Sequence, residues 1–168
     1  MKQQIPLAAA ALVFLLLPGA VVAQPAPANT NLLKLDDSIS IGGKNLKTEQ
    51  TKDGGIRITG TNASEIEDGD PAIVFGKKLA VPRDAGSITF QVSGIAGRMI
   101  VYVLNEAGGV TYKFLMPDGD CSLDLGGMTF RNSEEPFTGK VKEISAHIPI
   151  PKEVGEYVIE ISRLEILP

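Results

Sequence analysis

Four carboxylates lie close together in the segment that follows the third predicted strand. They are Glu65, Glu67, Asp68 and Asp70, and Gly69 interrupts the run. Because Ca²⁺ takes about six to eight oxygen ligands, closely spaced carboxylates and loop carbonyls favour it. The segment is therefore a candidate structural Ca²⁺ site, and Ca²⁺ is the one candidate cofactor. The other interpretation, which we favour, is a solvated loop that binds no cofactor.

His147 is the single histidine of the chain and shares one face of a predicted strand with Glu143 and Ser145. These residue types suggest a Ser-His-acid arrangement. Side chains two apart on a strand are separated by about 7 Å, whereas a nucleophile and its base need a hydrogen bond of about 3 Å. We therefore predict no catalytic residues and a solvent-facing histidine on an edge strand. A glycosidase-type pair of carboxylates stays open, because any two acids can meet in a fold.

A polar sheet face near aromatic residues has the composition of a sugar-binding surface. Gln91 lies between Thr89 and Ser93 on such a face. Sugar hydroxyls require planar polar partners, and the C–H faces of sugars require aromatic rings. We predict four ligand-binding residues: Gln91, Tyr102, Tyr112 and His147. The alternative is an ordinary solvated sheet face.

The charge and cysteine content exclude several classes of function. The chain has 16 Lys and Arg against 20 Asp and Glu, a formal net charge of −4. Nucleic-acid binding needs clustered basic residues, so no nucleic-acid partner is expected. Cys121 is the one cysteine and is predicted to be a small buried side chain. One cysteine and one histidine do not make an ordinary zinc site.

The first residues have the pattern of a secretory signal peptide. Lys2 supplies a positive start, an apolar stretch runs from Ile5 to Leu17, and Val21-Val22-Ala23 precedes the expected cleavage. An uncleaved membrane anchor is the alternative. We expect residues 1–23 to be removed, residues 24–31 to form a Pro/Ala-rich lead-in, and residues 32–168 to form one domain. The mature protein is expected to be secreted or periplasmic, with no membrane association.

Strand signals recur along residues 32–168 and are separated by turns rich in Gly, Pro and Asp. Ile88, Phe90 and Val92 alternate with polar residues, as in a half-buried strand. Residues 98–104 are almost all apolar and are predicted to form a central strand buried on both faces. This spacing predicts an all-β fold, an antiparallel β-sandwich of jelly-roll type.

The period-2 pattern also predicts which side chains fill the core and where the last strand changes phase. A shift after Ile161 requires a bulge near Ser162-Arg163. The predicted core consists of Leu35, Ile58, Ile73, Phe75, Ile88, Phe90, Val92, Val101, Val103, Phe114, Leu123, Ile144, Ile148, Ile159 and Ile166.

Two stretches resemble the galactose-binding-like jelly-roll domains found among carbohydrate-binding modules. The first is Ser87 to Ser93 followed by Met99 to Leu104, and the second comprises residues 142–144, 148–151 and 155–166. The resemblance implies a sandwich that binds sugar on a sheet face. Those modules commonly stack a tryptophan on the sugar ring, but this chain has none. Tyr102, Tyr112, Tyr157 and the phenylalanines would have to serve instead.

The residues and the resemblance together predict an exported, non-catalytic binding domain with a glycan as ligand. The alternative is a structural or adhesion-type domain that binds a protein partner, for example by pairing with an edge strand. A hydrolase is the third hypothesis. The sequence favours a protein without enzymatic activity over an enzyme.

Overall fold

The computed structural model describes residues 31–43, 45–62, 72–95, 97–116, 119–150 and 155–168. Strand follows strand through these residues, and the only described helix is a single 3₁₀ turn, Leu125–Gly127. None of the described helical structure is long and apolar enough to cross a membrane. The strands are β1 (Ile39–Gly42), β2 (Leu46–Gln50), β3 (Ile56–Asn62), β4 (Ala72–Asp84), β5 (Ser87–Ser93), β6 (Met99–Asn105), β7 (Val110–Leu115), β8 (Gly119–Asp124), β9 (Lys140–Pro149) and β10 (Gly155–Leu167).

The strands form two five-stranded antiparallel sheets. Sheet A has the order β1-β4-β9-β6-β7, and sheet B has the order β2-β3-β10-β5-β8. The hairpins β2-β3 and β6-β7 stay within one sheet, whereas the other connections cross from one sheet to the other. Such repeated crossing belongs to the jelly-roll type of sandwich. The predicted fold class is therefore confirmed.

The core lies between the inner faces of the two sheets. In β5, Ile88, Phe90 and Val92 are buried and alternate with half-buried Thr89 and Gln91. Phe90 meets Phe75 of sheet A edge to face, with 5.8 Å between the ring centroids. Burying one such side chain contributes about 1.5–3 kcal/mol, so the two inner faces hold the sandwich together.

Two local predictions are confirmed because they depend only on residues close together in the chain. The loop between β6 and β7 turns at Asn105 to Gly109, where the Asn105 side-chain oxygen accepts a hydrogen bond of 2.7 Å from the Gly109 amide. The register of β10 against β5 shifts between Ile161 and Arg163, as the change of apolar phase requires. Cys121 is buried, also as predicted.

Other predictions are corrected by the packing of the sheets. Leu35 and Phe114 were expected in the core, but 38% and 44% of their surfaces are exposed. Strand β6 buries only its inner face, and its outer side chains are half-buried. His147 lies on β9, the central strand of sheet A, and not on an edge. Pro149 is compatible with this position because it ends the strand.

Candidate functional site

The outer face of sheet A brings aromatic side chains from three neighbouring strands together. Tyr102 of β6 lies opposite Tyr112 of β7 and, on its other side, opposite Ser145 of β9. The next row pairs Ile100 with Phe114 and with His147. Because residues two apart on a strand share a face, the outer face carries the rings of both rows.

Four rings form one connected cluster, which we call the ring cluster: Tyr102, Tyr112, Phe114 and His147. The centroid of Tyr102 lies 5.8 Å from that of Tyr112 and 5.3 Å from that of His147. Tyr112 and Phe114 are 6.0 Å apart and nearly perpendicular, at 86°. These distances are those of interacting aromatic pairs, so the rings support one another in fixed positions on the sheet.

The ring cluster is exposed although its residues are largely apolar. Tyr112 is 42% exposed, Phe114 is 44% exposed, and the nearby Val74 is 41% exposed. Apolar surface in water costs about 25 cal/mol per Å² relative to burial. A contiguous exposed apolar patch therefore marks a surface that gains free energy when a ligand covers it.

Two arginines lie on the faces of the outer rings. The guanidinium carbon of Arg98 is 4.3 Å from the ring centroid of Phe114, and that of Arg131 is 5.9 Å from the centroid of Tyr112. Both arginines are exposed. A cation over a ring face is attracted by the ring quadrupole, which fixes the guanidinium groups beside the ring cluster.

Polar side chains complete the same face. Ser145 and Glu143 are half-buried on β9 beside His147, and Lys78 of β4 lies opposite Glu143. Gly76 of β4 lies opposite Ser145, so two small residues follow Tyr102 in the same row across the sheet. The register places Ser145 and His147 in adjacent rows, so they are not arranged as a nucleophile and its base. The face offers rings, hydroxyls and charges for binding.

The outer face of sheet B has a different chemical character. Arg57 of β3 bridges Glu49 at 3.1 Å and Glu160 at 2.7 Å on the neighbouring strands. The hydrogen bond to Glu160 and the charge of that residue raise the pKa of Arg57 above its ordinary value. These charges compensate one another on the sheet, and no described ring cluster lies there.

Gln91 belongs to sheet B and lies apart from the ring cluster. Its strand, β5, pairs with β10 and β8, and its side-chain oxygen accepts a hydrogen bond of 2.7 Å from Ser162 Oγ. The sequence grouped Gln91 with Tyr102, Tyr112 and His147, but the structure brings only the last three together. The strand order, which the sequence pattern does not contain, separates them.

The predicted metal ligands Glu65, Glu67, Asp68 and Asp70 lie outside the described residues. Among the residues that are described, no group of three or more acidic, histidine or cysteine side chains is placed to hold a metal ion. The Ca²⁺ site therefore stays a prediction from the sequence.

Sequence reasoning missed Phe114, Arg98 and Arg131 as members of the candidate site. Tyr112 and Phe114 alternate with Lys113, a pattern typical of either an inward or an outward aromatic face. The inner face of β7 instead carries Thr111, whose buried hydroxyl donates a hydrogen bond of 2.7 Å to the Thr129 carbonyl. Two aromatics two residues apart on one strand were the available signal for the exposed face.

A concavity separate from the ring cluster lies where the edges of the two sheets meet. It is a cleft of 460 Å³ beside β1 and β2. None of the described residues that line it has an ionisable side chain. Its lining residues are Leu35, Ile39, Ile41, Gly43, Asn45, Leu46 and Thr48.

Comparisons with known proteins give similarities of structure only. The sequence matches no protein-family model and no curated protein. The fold is similar to part of the agarase AgWH50C, with TM-score 0.48 and 10% identity over 80% of this chain, which spans 23% of that enzyme. It is also similar to TmCBM61, solved with β-1,4-galactotriose, with TM-score 0.47 and 12% identity over 83% of this chain and 100% of that one.

A third similar structure is the xylan binding module CBM86 from Roseburia intestinalis. Its TM-score is 0.43 at 13% identity, over 77% of this chain and 91% of that module. The assignment of this chain as an antiparallel β-sandwich is based on its own strand order and register.

Proposed function

We propose that this protein is a non-catalytic carbohydrate-binding domain and that its ligand lies across the outer face of sheet A. The single observation that carries the proposal is the exposed ring cluster. Its four rings form a chain in which neighbouring centroids are 5.3–6.0 Å apart, on the middle and edge strands of sheet A. Contiguous exposed apolar surface of this kind is typical of interaction sites, because a ligand that covers it removes apolar area from water.

The chemistry of the face matches that of a sugar. The C–H faces of a pyranose are apolar and pack on aromatic rings, while its hydroxyls donate and accept hydrogen bonds. Tyr102, Tyr112 and His147 each combine a ring with a polar atom, and Ser145 adds a hydroxyl beside them. An amphipathic ligand of this kind is therefore complementary to the face in both respects.

Export is part of the proposal. Residues 1–23 have the charge and apolar pattern of a signal peptide, and an oxidising or extracellular compartment is where polysaccharides are met. We therefore propose a secreted or periplasmic protein in which residues 32–168 act as the binding domain.

The test is a binding screen of the mature protein, residues 24–168, against a panel of polysaccharides. Affinity gel electrophoresis identifies a retarding polysaccharide, and calorimetry then measures the dissociation constant. Tyr112→Ala and Phe114→Ala should each weaken binding by about tenfold, which corresponds to ~1.4 kcal/mol. Both rings are exposed, so both variants should melt within a few degrees of the wild type.

Gln91→Ala is the matched control, because Gln91 lies on sheet B. We expect it to bind the same polysaccharide as tightly as the wild type does. If Gln91→Ala lost binding while Tyr112→Ala kept it, the ligand would bind on sheet B, and the proposed position of the site would be wrong. Absence of binding to every polysaccharide at millimolar sugar concentration would refute the proposed function for that panel.

A further inference from the structure

Two arginines place positive charge beside the outer rings of the ring cluster. Arg98 precedes β6 and lies over Phe114, near the end of β7. Arg131 lies over Tyr112, and its backbone amide donates a hydrogen bond of 2.6 Å to the carbonyl of Val110, where β7 begins. The centroids of Phe114 and Tyr112 are 6.0 Å apart. The two guanidinium groups therefore lie beside neighbouring rings of the ring cluster.

Neither of these guanidinium groups is neutralised by a described carboxylate. The ion pairs of the described residues involve Arg57, Lys77 and Arg163, and none involves Arg98 or Arg131. Glu134 and Glu135 lie in the same loop as Arg131, but neither forms an ion pair with it. Glu143 on the outer face of sheet A lies opposite Lys78 of β4 and Leu104 of β6.

On the outer face of sheet B, in contrast, the arginine that we compare forms ion pairs. On sheet B, Arg57 is compensated by two glutamates at 3.1 and 2.7 Å. The chain as a whole has more acidic than basic residues, with a net charge of −4. Arg98 and Arg131 are therefore positive charges without a described ion pair in a protein of negative net charge.

A guanidinium that lies over a ring, as Arg98 lies 4.3 Å from the Phe114 centroid, keeps N–H groups available to a ligand. These donors form a planar fork that matches the two oxygens of a carboxylate or of a sulfate group. The ring below it restricts its motion, so less conformational entropy is lost when an anion binds. Rings for the sugar faces and arginine forks for anionic groups thus occur on one surface.

We infer that the ligand of the ring cluster is an anionic glycan, one that carries carboxylate or sulfate groups, and that Arg98 and Arg131 bind those groups. This inference rests on the proposed carbohydrate-binding function and adds the class of glycan. Tyr102, Tyr112 and His147 contact the sugar rings, and the two arginines select the charged polymer over its neutral counterpart.

The experiment compares matched polymers that differ only in charge, using the mature protein of residues 24–168. One pair is polygalacturonate and its methyl-esterified form, and the other is dextran sulfate and dextran. In low salt, one charged member should bind at least tenfold more tightly than its neutral partner. Its affinity should fall as NaCl rises from about 20 to 500 mM, because salt screens exposed charges. The first pair reports a carboxylate ligand, and the second reports a sulfated one.

Arg98→Gln and Arg131→Gln should each reduce the affinity for the charged polymer by about tenfold. Arg57→Gln on sheet B makes the same change in net charge and should leave that affinity unchanged. A loss of equal size in Arg57→Gln would show that net charge alone attracts the polymer and would overturn the inference.

The outcomes separate this inference from the proposed function. Equal affinity for charged and neutral polymers overturns the anionic ligand and leaves carbohydrate binding standing. Charge-selective binding that survives both Arg98→Gln and Arg131→Gln overturns the assigned residues. Absence of binding to all four polymers, in a protein that melts cooperatively, overturns the anionic ligand, and the wider polysaccharide panel then decides carbohydrate binding.

Discussion

The position of Phe114 in the structure differs from the position that its sequence pattern predicts. Its aromatic ring in a strand suggests the core, yet it lies on the outer face, 44% exposed and covered in part by Arg98. The inner face of β7 carries Thr111 instead, whose hydroxyl is hydrogen-bonded and therefore tolerates burial. Phe114 is therefore available to a ligand on the outer face of sheet A.

A second informative residue is Lys77, which is buried on the inner face of sheet A near the edge strand β1. Its ammonium group donates to Ser38 Oγ and lies 3.7 Å from the Asp36 carboxylate. The Asp36 carboxylate also accepts hydrogen bonds from the hydroxyl and the amide of Ser38. These bonds, the hydroxyl bond first, lower the pKa of Asp36 below its ordinary value of 3.8.

A lowered pKa makes the ionised form of Asp36 a source of stability. The contribution is present above the ordinary value of 3.8 and is lost as the pH falls through the lower pKa of the folded state. We expect Asp36→Asn to melt below the wild type at pH 7. The difference between the two melting temperatures should shrink as the pH is lowered from about 5 to 2.

Melting curves across this pH range check the prediction, with Asp37→Asn as the control. Asp37 is the exposed neighbouring carboxylate and makes none of the described bonds of Asp36. Its variant should follow the wild type at each pH. A difference between Asp36→Asn and the wild type that stays constant from pH 7 to pH 2 would contradict the role of the charge.

At the scale of the elements, the reliable predictions are those that depend on neighbouring residues. The β10 bulge follows from the change of apolar phase after Ile161, and the β6-β7 hairpin follows from its Asn and Gly residues. The outer face of β6 could not be predicted in this way. Ile100, Tyr102 and Leu104 make the strand apolar on both sides, and a second buried layer would give the same pattern.

The turn after β5 provides a test of how tightly the elements pack. Gly94 and Gly108 both have positive φ, at 79° and 87°. A Cβ at Gly94 would lie 2.0 Å from the carbonyl oxygen of Val158 in β10, whereas a Cβ at Gly108 would meet nothing within 4 Å. The two positions thus share the backbone strain of an L-residue and differ in steric contact.

We expect Gly108→Ala to reduce the free energy of unfolding by about 1 kcal/mol, the cost of the left-handed backbone alone. Gly94→Ala should cost a further ~1–3 kcal/mol, because backbone atoms of β10 or of the turn must move. Urea denaturation of the two variants measures both values. Equal losses in the two variants would show that the turn moves away from β10 without cost.

At the scale of the whole molecule, strand order decides which residues form a site. Tyr102 and His147 are 45 positions apart in the sequence numbering and yet 5.3 Å apart by ring centroid, because β9 pairs with β6. Gln91 is much nearer to Tyr102 in sequence but lies in the other sheet. Alternating patterns in the sequence predict strands and their faces. The order of the strands depends on long-range packing and cannot be predicted from such patterns.

The same strand order makes the two outer faces chemically independent. Sheet A exposes rings with uncompensated arginines, and sheet B exposes compensated ion pairs. What joins the sheets is the core, in which Phe75 of β4 and Phe90 of β5 meet at 5.8 Å and 73°. Both side chains are fully buried. The contact between these two rings therefore links sheet A to sheet B, and its energy can be measured by mutation.

A double-mutant cycle on Phe75 and Phe90 tests this coupling. Phe75→Leu and Phe90→Leu should each lower the free energy of unfolding by about 1–2 kcal/mol. The double variant should lose less than the sum of the two by ~0.5–1.5 kcal/mol, because the edge-to-face contact is removed only once. Phe75→Leu combined with Phe137→Leu is the matched control, since Phe137 pairs with Phe130 instead, at 5.1 Å. Additive losses in the Phe75 and Phe90 pair would show that the rings do not act together across the sandwich.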